Sequence, residues 1–92
     1  MEDNDTHVQF VEDGAALAAV EIQQPRRKPL ISKLHGVLFA LGIVVSSYQV
    51  RMRGTGIVER LVIQRRDGAM VSGDLSQQAR AAMLPIMLES RG

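Results

Sequence analysis

The amino-acid sequence predicts an α+β domain in which two amphipathic helices cover one face of a four-stranded antiparallel sheet. Three observations lead there. Two pairs of alternating segments are each joined by a glycine-containing turn, each pair is followed by a stretch of helical periodicity, and no strand signal follows the second stretch. The order is ββαββα. With 92 residues, 46% hydrophobic and 23% charged, the chain has room for one core and is too apolar for disorder.

Residues 1–5 are acidic and polar, with nothing to bury, and are expected to form a flexible tail ahead of a single domain over residues 6–92. His7-Val8-Gln9-Phe10-Val11 alternates, Asp13-Gly14 is a turn signal, and Leu17 to Gln23 alternates again around Val20 and Ile22. Together Thr6 to Gln23 reads as a hairpin whose first strand lies at the sheet edge. Pro25 and Pro29 then break the strand, and the missing N–H of Pro29 is harmless at the opening of a helix. From there Leu30, Leu34, Val37 and Leu41 line one face, with Ile31 and Leu38 beside them, and Gly42 ends the helix.

The stretch Val44 to Arg53 places Tyr48, Val50 and Met52 on one side by period two, and Ser47, Gln49, Arg51 and Arg53 on the other. Gly54-Thr55-Gly56 supplies a turn. Ile57 to Arg66 continues as a strand with Ile57, Leu61 and Ile63 on one face and Val58 and Val62 on the other, so both faces are partly apolar. After Asp67-Gly68 the segment 69–73 reads as a connection. Asp74 followed by Gln77 resembles a capping box, opening a helix whose buried face holds Leu75, Ala79, Ala82, Met83 and Ile86. Pro85 is expected to kink or fray its last turn.

Each amphipathic helix needs an apolar sheet face, so the economical packing is a ferredoxin-like layer of sheet and helices. The usual form runs βαββαβ. Here the last strand is missing, and the N-terminal hairpin supplies its equivalent, making the order a permuted one.

Residues 7 to about 84 resemble the ACT family of regulatory, ligand-sensing domains, in the form carried by the bacterial uridylyltransferase/uridylyl-removing enzyme, which opens with an extra strand. The resemblance rests on HVQFVEDGA, on AAVEIQ running into a loop, and on the succession helix, Leu-Gly, strand, glycine turn and strand, with Ala40-Leu41-Gly42-Ile43 the most family-like run. It implies an ACT fold and a regulatory role with no catalysis. It also implies a ligand loop at Arg26, Arg27, Lys28, Pro29, Leu30 and Ile31, where the family commonly reads Asp-Arg-Pro-Gly-Leu-Leu. Pro29 stands where the family has glycine, and the three cations are expected to draw an amino-acid carboxylate or another small anion to the helix start.

Elsewhere the composition narrows the chemistry. Without cysteine there is neither a disulfide framework nor thiolate chemistry, and a cytoplasmic location is expected. Met1 is followed by acidic residues rather than a basic and apolar leader, so no secretory signal is expected. The longest apolar stretch, Val37 to Val45, is far shorter than the ~20 residues of a membrane span. His7 and His35 have no partner at ligand spacing, no serine sits in a nucleophile elbow, and no acid, base and nucleophile combine into a site; neither enzyme activity, nor a metal, nor a cofactor is expected.

Eight basic residues gather in the loop and the second strand pair: Arg26, Arg27, Lys28, Arg51, Arg53, Arg60, Arg65 and Arg66. They read first as solvated, edge-protecting charge. With only Phe10, Phe39 and Tyr48 as aromatics and a net charge of +1, the sequence argues against nucleic acid. A homodimer is expected, because the helices cover one sheet face and leave Val58 and Val62, with Leu17 and Ala19, for a partner. The alternative reading is a protein-interaction module that has kept the fold and lost the ligand pocket.

Overall fold

The computed structural model describes residues 6–25 and 29–89. Strand β1 (His7–Asp13) turns at Gly14 into β2 (Ala16–Gln24), and α1 (Ile31–Ala40) follows. Next come β3 (Ile43–Arg53), β4 (Gly56–Arg65), a two-residue strand β5 (Val71–Ser72) and α2 (Asp74–Glu89). The sheet runs β1-β2-β4-β3 with every neighbouring pair antiparallel, and β5 pairs with the start of β2. This is an α+β architecture compatible with a ferredoxin-like fold. The hairpin places β1 at the sheet edge, as its alternation and Asp13-Gly14 turn predict.

Two bulges set which side chains meet the helices. Opposite β1 the register steps from Val11↔Ala19 to Glu12↔Leu17, so Ala18 is the extra residue. The step reverses the alternation, and Leu17 joins Val20 and Ile22 in the core although it is an odd-numbered neighbour of Ala19. Leu17 therefore does not share the open face with Ala19, Val58 and Val62, which corrects the simple period-two placement. On β3 the register steps from Val45↔Ile63 to Ser47↔Val62, and Ser46 is the extra residue, its hydroxyl donating to the Val62 carbonyl at 3.2 Å. Ile43 and Val45 before that bulge thus lie on the same side as Tyr48 after it.

Helix α1 buries Leu34 and Leu38, and its N-cap Leu30 lies on the same line; Val37 and Leu41 are only partly covered. The chain leaves the helix through Gly42 at φ +81, whose N–H donates to the Phe39 carbonyl. Arg66 donates to that same carbonyl at 2.8 Å with its guanidinium 4.4 Å from the Phe39 ring centre, so this cation closes the C-terminus of α1.

Helix α2 buries Ser76, Ala79, Met83 and Met87, with Leu75 and Ile86 packed at the flanks. It continues through Pro85 to Glu89 rather than ending there. Pro85 and Ala81, one turn earlier, are both exposed, so the one helical bond that proline removes falls on the solvent side, where water replaces it. The segment 69–73, expected as a plain connection, contributes β5 and buries Val71 against the core.

Candidate functional site

Strand β4 alternates Ile57, Glu59, Leu61 and Ile63 toward the helices. Three of these are the aliphatic residues the pattern predicts. The fourth is acidic, and the fold buries it completely. Its carboxyl group accepts from three elements at once: the Tyr48 hydroxyl of β3 at 2.8 Å, the Gln24 side-chain amide of β2 at 3.0 Å, and the Leu30 backbone N–H at 3.0 and 3.1 Å to its two oxygens. Without it the Leu30 N–H and the Tyr48 hydroxyl would each lose the acceptor the fold gives them, and the Gln24 amide would lose one of its bonds.

Leu30 is the N-cap of α1, and no side chain of the helix caps it. The first turn of a helix presents unpaired N–H groups and a partial positive charge, which together favour an anion. Glu59 reaches that position from the neighbouring strand. The place where a small anion would meet the start of α1 is occupied by the protein's own acidic side chain.

The geometry that lets Glu59 reach is fixed by Gly56. A Cβ built on Gly56 would fall 2.0 Å from the Gln24 carbonyl oxygen and 2.9 Å from the Pro25 Cα, both backbone atoms. Only glycine lets the start of β4 lie this close to the exit of β2, which leads toward Leu30.

Burial, the hydrogen bond to Glu59 and the charge interaction with Glu59 together hold the Tyr48 phenol well above its ordinary range. Ionisation is favoured in the unfolded chain, where the phenol titrates near about 10. The stabilisation is complete below that pH and is lost as pH rises toward the higher folded value. Wild type is therefore expected to lose stability between about pH 9 and about pH 12 more steeply than Tyr48→Phe. Urea midpoints across that range measure it, and parallel curves would mean the phenol stays coupled to nothing.

The residues expected to bind a ligand divide. Arg26, Arg27 and Lys28 lie outside the described residues; Pro29 is exposed, Ile31 half-buried and Leu30 buried. Among the expected interface residues, Ala19 and Val58 are already buried within the single chain, Val62 is half-buried on the open face, and Leu17 lies in the core. His35 stacks on Phe39 with ring centres 6.0 Å apart, and His7 lines an open cleft of about 280 Å³ with Gln23, Arg53 and Thr55. Among the described residues no three acidic or histidine side chains stand close enough to hold a metal, and no helix is long and apolar enough to cross a membrane.

The basic residues also separate. Arg60 pairs with Glu21 at 3.2 Å, Arg65 pairs with Asp67 at 2.9 Å, and Arg66 closes α1. Arg53 donates to the neutral Gln23 at 3.1 Å. The phase of β4 was legible in the sequence but Glu59 was not singled out, although an acidic residue in step with Ile57, Leu61 and Ile63 is itself a signal that something must satisfy it. Compared with family models, with curated proteins and with solved structures, the chain matches none.

Proposed function

We propose that the chain is a non-catalytic regulatory module of the ACT kind, in permuted ββαββα order with β5 as an addition, that works by associating with other protein surfaces rather than by taking up a small ligand at α1. The observation that carries this is Glu59. In this reading the acidic side chain substitutes for the ligand, tying β2, β3 and the start of α1 together permanently. The resemblance to ACT domains supplies the regulatory class; the filled helix N-terminus favours the interaction module over the sensor.

Association includes a second copy of the chain, with Val62 the residue of the expected open-face group that has most area left to bury. Amide NMR of the labelled chain, titrated with the amino acids and common nucleotides, tests the reading. Signals of Gln24, Leu30 and Leu34 are expected to stay in place. An amino acid or nucleotide that moves them in a saturable way overturns the proposal and restores a ligand sensor. Sedimentation of wild type beside Val62→Lys reports whether a second copy uses the open face.

A further inference from the structure

Strand β3 ends the sheet order and pairs with β4 alone, leaving its outer edge unpaired among the described residues. The other edge is defended: Arg80 of α2 pairs with Glu12 of β1 and lies over Phe10. Among the described residues no ion pair or ring contact joins a helix to the C-terminal half of β3, where Val50 is 46% and Met52 is 59% exposed.

The β3–β4 turn fixes which backbone groups are free. Gly54 has φ +59 and Thr55 a negative φ, as in a two-residue turn of type II′, and it closes on the pair Arg53↔Gly56. The closing pair of such a hairpin exchanges both its hydrogen bonds. Counting back from it, Arg51 and Gln49 turn their N–H and C=O toward β4, whereas Met52, Val50 and Tyr48 turn theirs outward. The free edge therefore offers a ladder with two exposed apolar side chains on the helix side. On the open side stand Arg51, which makes no ion pair among the described residues, and Arg53, which donates to the neutral Gln23 amide.

Charge decides what fits there. A second β3 laid antiparallel about Val50 would set Arg51 diagonally against its own copy, gathering four guanidinium groups on one face. An incoming strand with acidic residues on that face meets the same groups with attraction. We infer that the outer edge of β3 takes an extended segment of a partner protein in which Asp or Glu alternates with aliphatic residues, the acids facing Arg51 and Arg53 and the aliphatics facing Val50 and Met52. The inference rests on the interaction-module reading and names its surface.

The probe is an acetylated peptide of about eight residues alternating Glu and Val, against one alternating Lys and Val, each added to the labelled full chain. The Glu-Val peptide is expected to shift amides from Ser47 to Arg53 and to slow exchange at Val50 and Met52, and the Lys-Val peptide to do neither. Val50→Pro removes an outward N–H and no bond to β4, and is expected to weaken binding at least tenfold. Reversing charge with Arg51→Glu and Arg53→Glu together is expected to switch the preference to the Lys-Val peptide, which keeps the test valid should the proline variant fold poorly. Equal response to both peptides, shifts elsewhere, no response at millimolar peptide, or a wild-type dimer that Val50→Pro dissociates would each overturn the inference. Those results leave the module reading standing, because only a small ligand acting at Leu30 removes that.

Discussion

Replacing Glu59 by Ala is expected to cost about 3 kcal/mol or more of folding stability, because it removes a buried acceptor that the Tyr48 hydroxyl, the Leu30 N–H and the Gln24 amide share, and each such loss runs to about 1–3 kcal/mol. The whole stability of a domain this size is roughly 5–14 kcal/mol, so the variant should stand near the edge of folding. Glu59→Gln should cost less. Its amide nitrogen, placed where Oε1 stood, can donate to the Tyr48 hydroxyl, while the oxygen at the Oε2 position still accepts from the Gln24 amide and the Leu30 N–H, so the loss is confined to the charge on the acceptor and one branch of the Leu30 bond. Urea unfolding of both variants measures the difference. A loss below about 1 kcal/mol for Glu59→Ala would mean that water reaches the site and replaces the carboxyl group.

Gly56→Ala is the second large effect expected. A methyl group 2.0 Å from the Gln24 carbonyl oxygen cannot be accommodated by a rotamer change, since the neighbour is backbone. Either the start of β4 or the exit of β2 must move. Overpacking of this kind costs about 1–3 kcal/mol and sometimes more. Because β2 carries Gln24 and the chain beyond it leads to Leu30, the displacement should also lengthen the bonds to Glu59. Amide exchange at Leu30 is therefore expected to accelerate in Gly56→Ala by more than the global loss of stability explains. Exchange that rises only in step with global unfolding would separate Gly56 from the Glu59 site.

Much of this fold was legible because period-two and period-3.6 patterns are strong where one face of an element is buried. The hairpin at the N-terminus, the line Leu30, Leu34 and Leu38, and the outward placement of Arg51 and Arg53 all follow from such patterns. The misplacement of Leu17 has a definite cause. A bulge inserts one residue, and in Leu17-Ala18-Ala19 nothing in the residue types marks which alanine is the extra one. β5 was missed because two residues carry no periodicity.

The candidate site was less legible for a different reason. Glu59 gains meaning only when Gln24, Leu30 and Tyr48 arrive from three other parts of the chain, separated from it by 35, 29 and 11 positions. Local reading weighs such a residue as surface charge. Arg66 illustrates the reverse, a cation counted with a basic surface that instead caps a helix 27 positions away.

The account stands most directly on one claim, that the Glu59 side chain fills the anion position at the start of α1. Thermal unfolding of Glu59→Ala and wild type, each in acetate and in chloride at matched ionic strength, tests it by returning a free carboxylate to the vacated position. Acetate is expected to raise the melting temperature of Glu59→Ala and to leave wild type unchanged, since a ligand that binds only the folded variant stabilises it by mass action. An acetate effect of equal size in both proteins, or in neither, would contradict the claim.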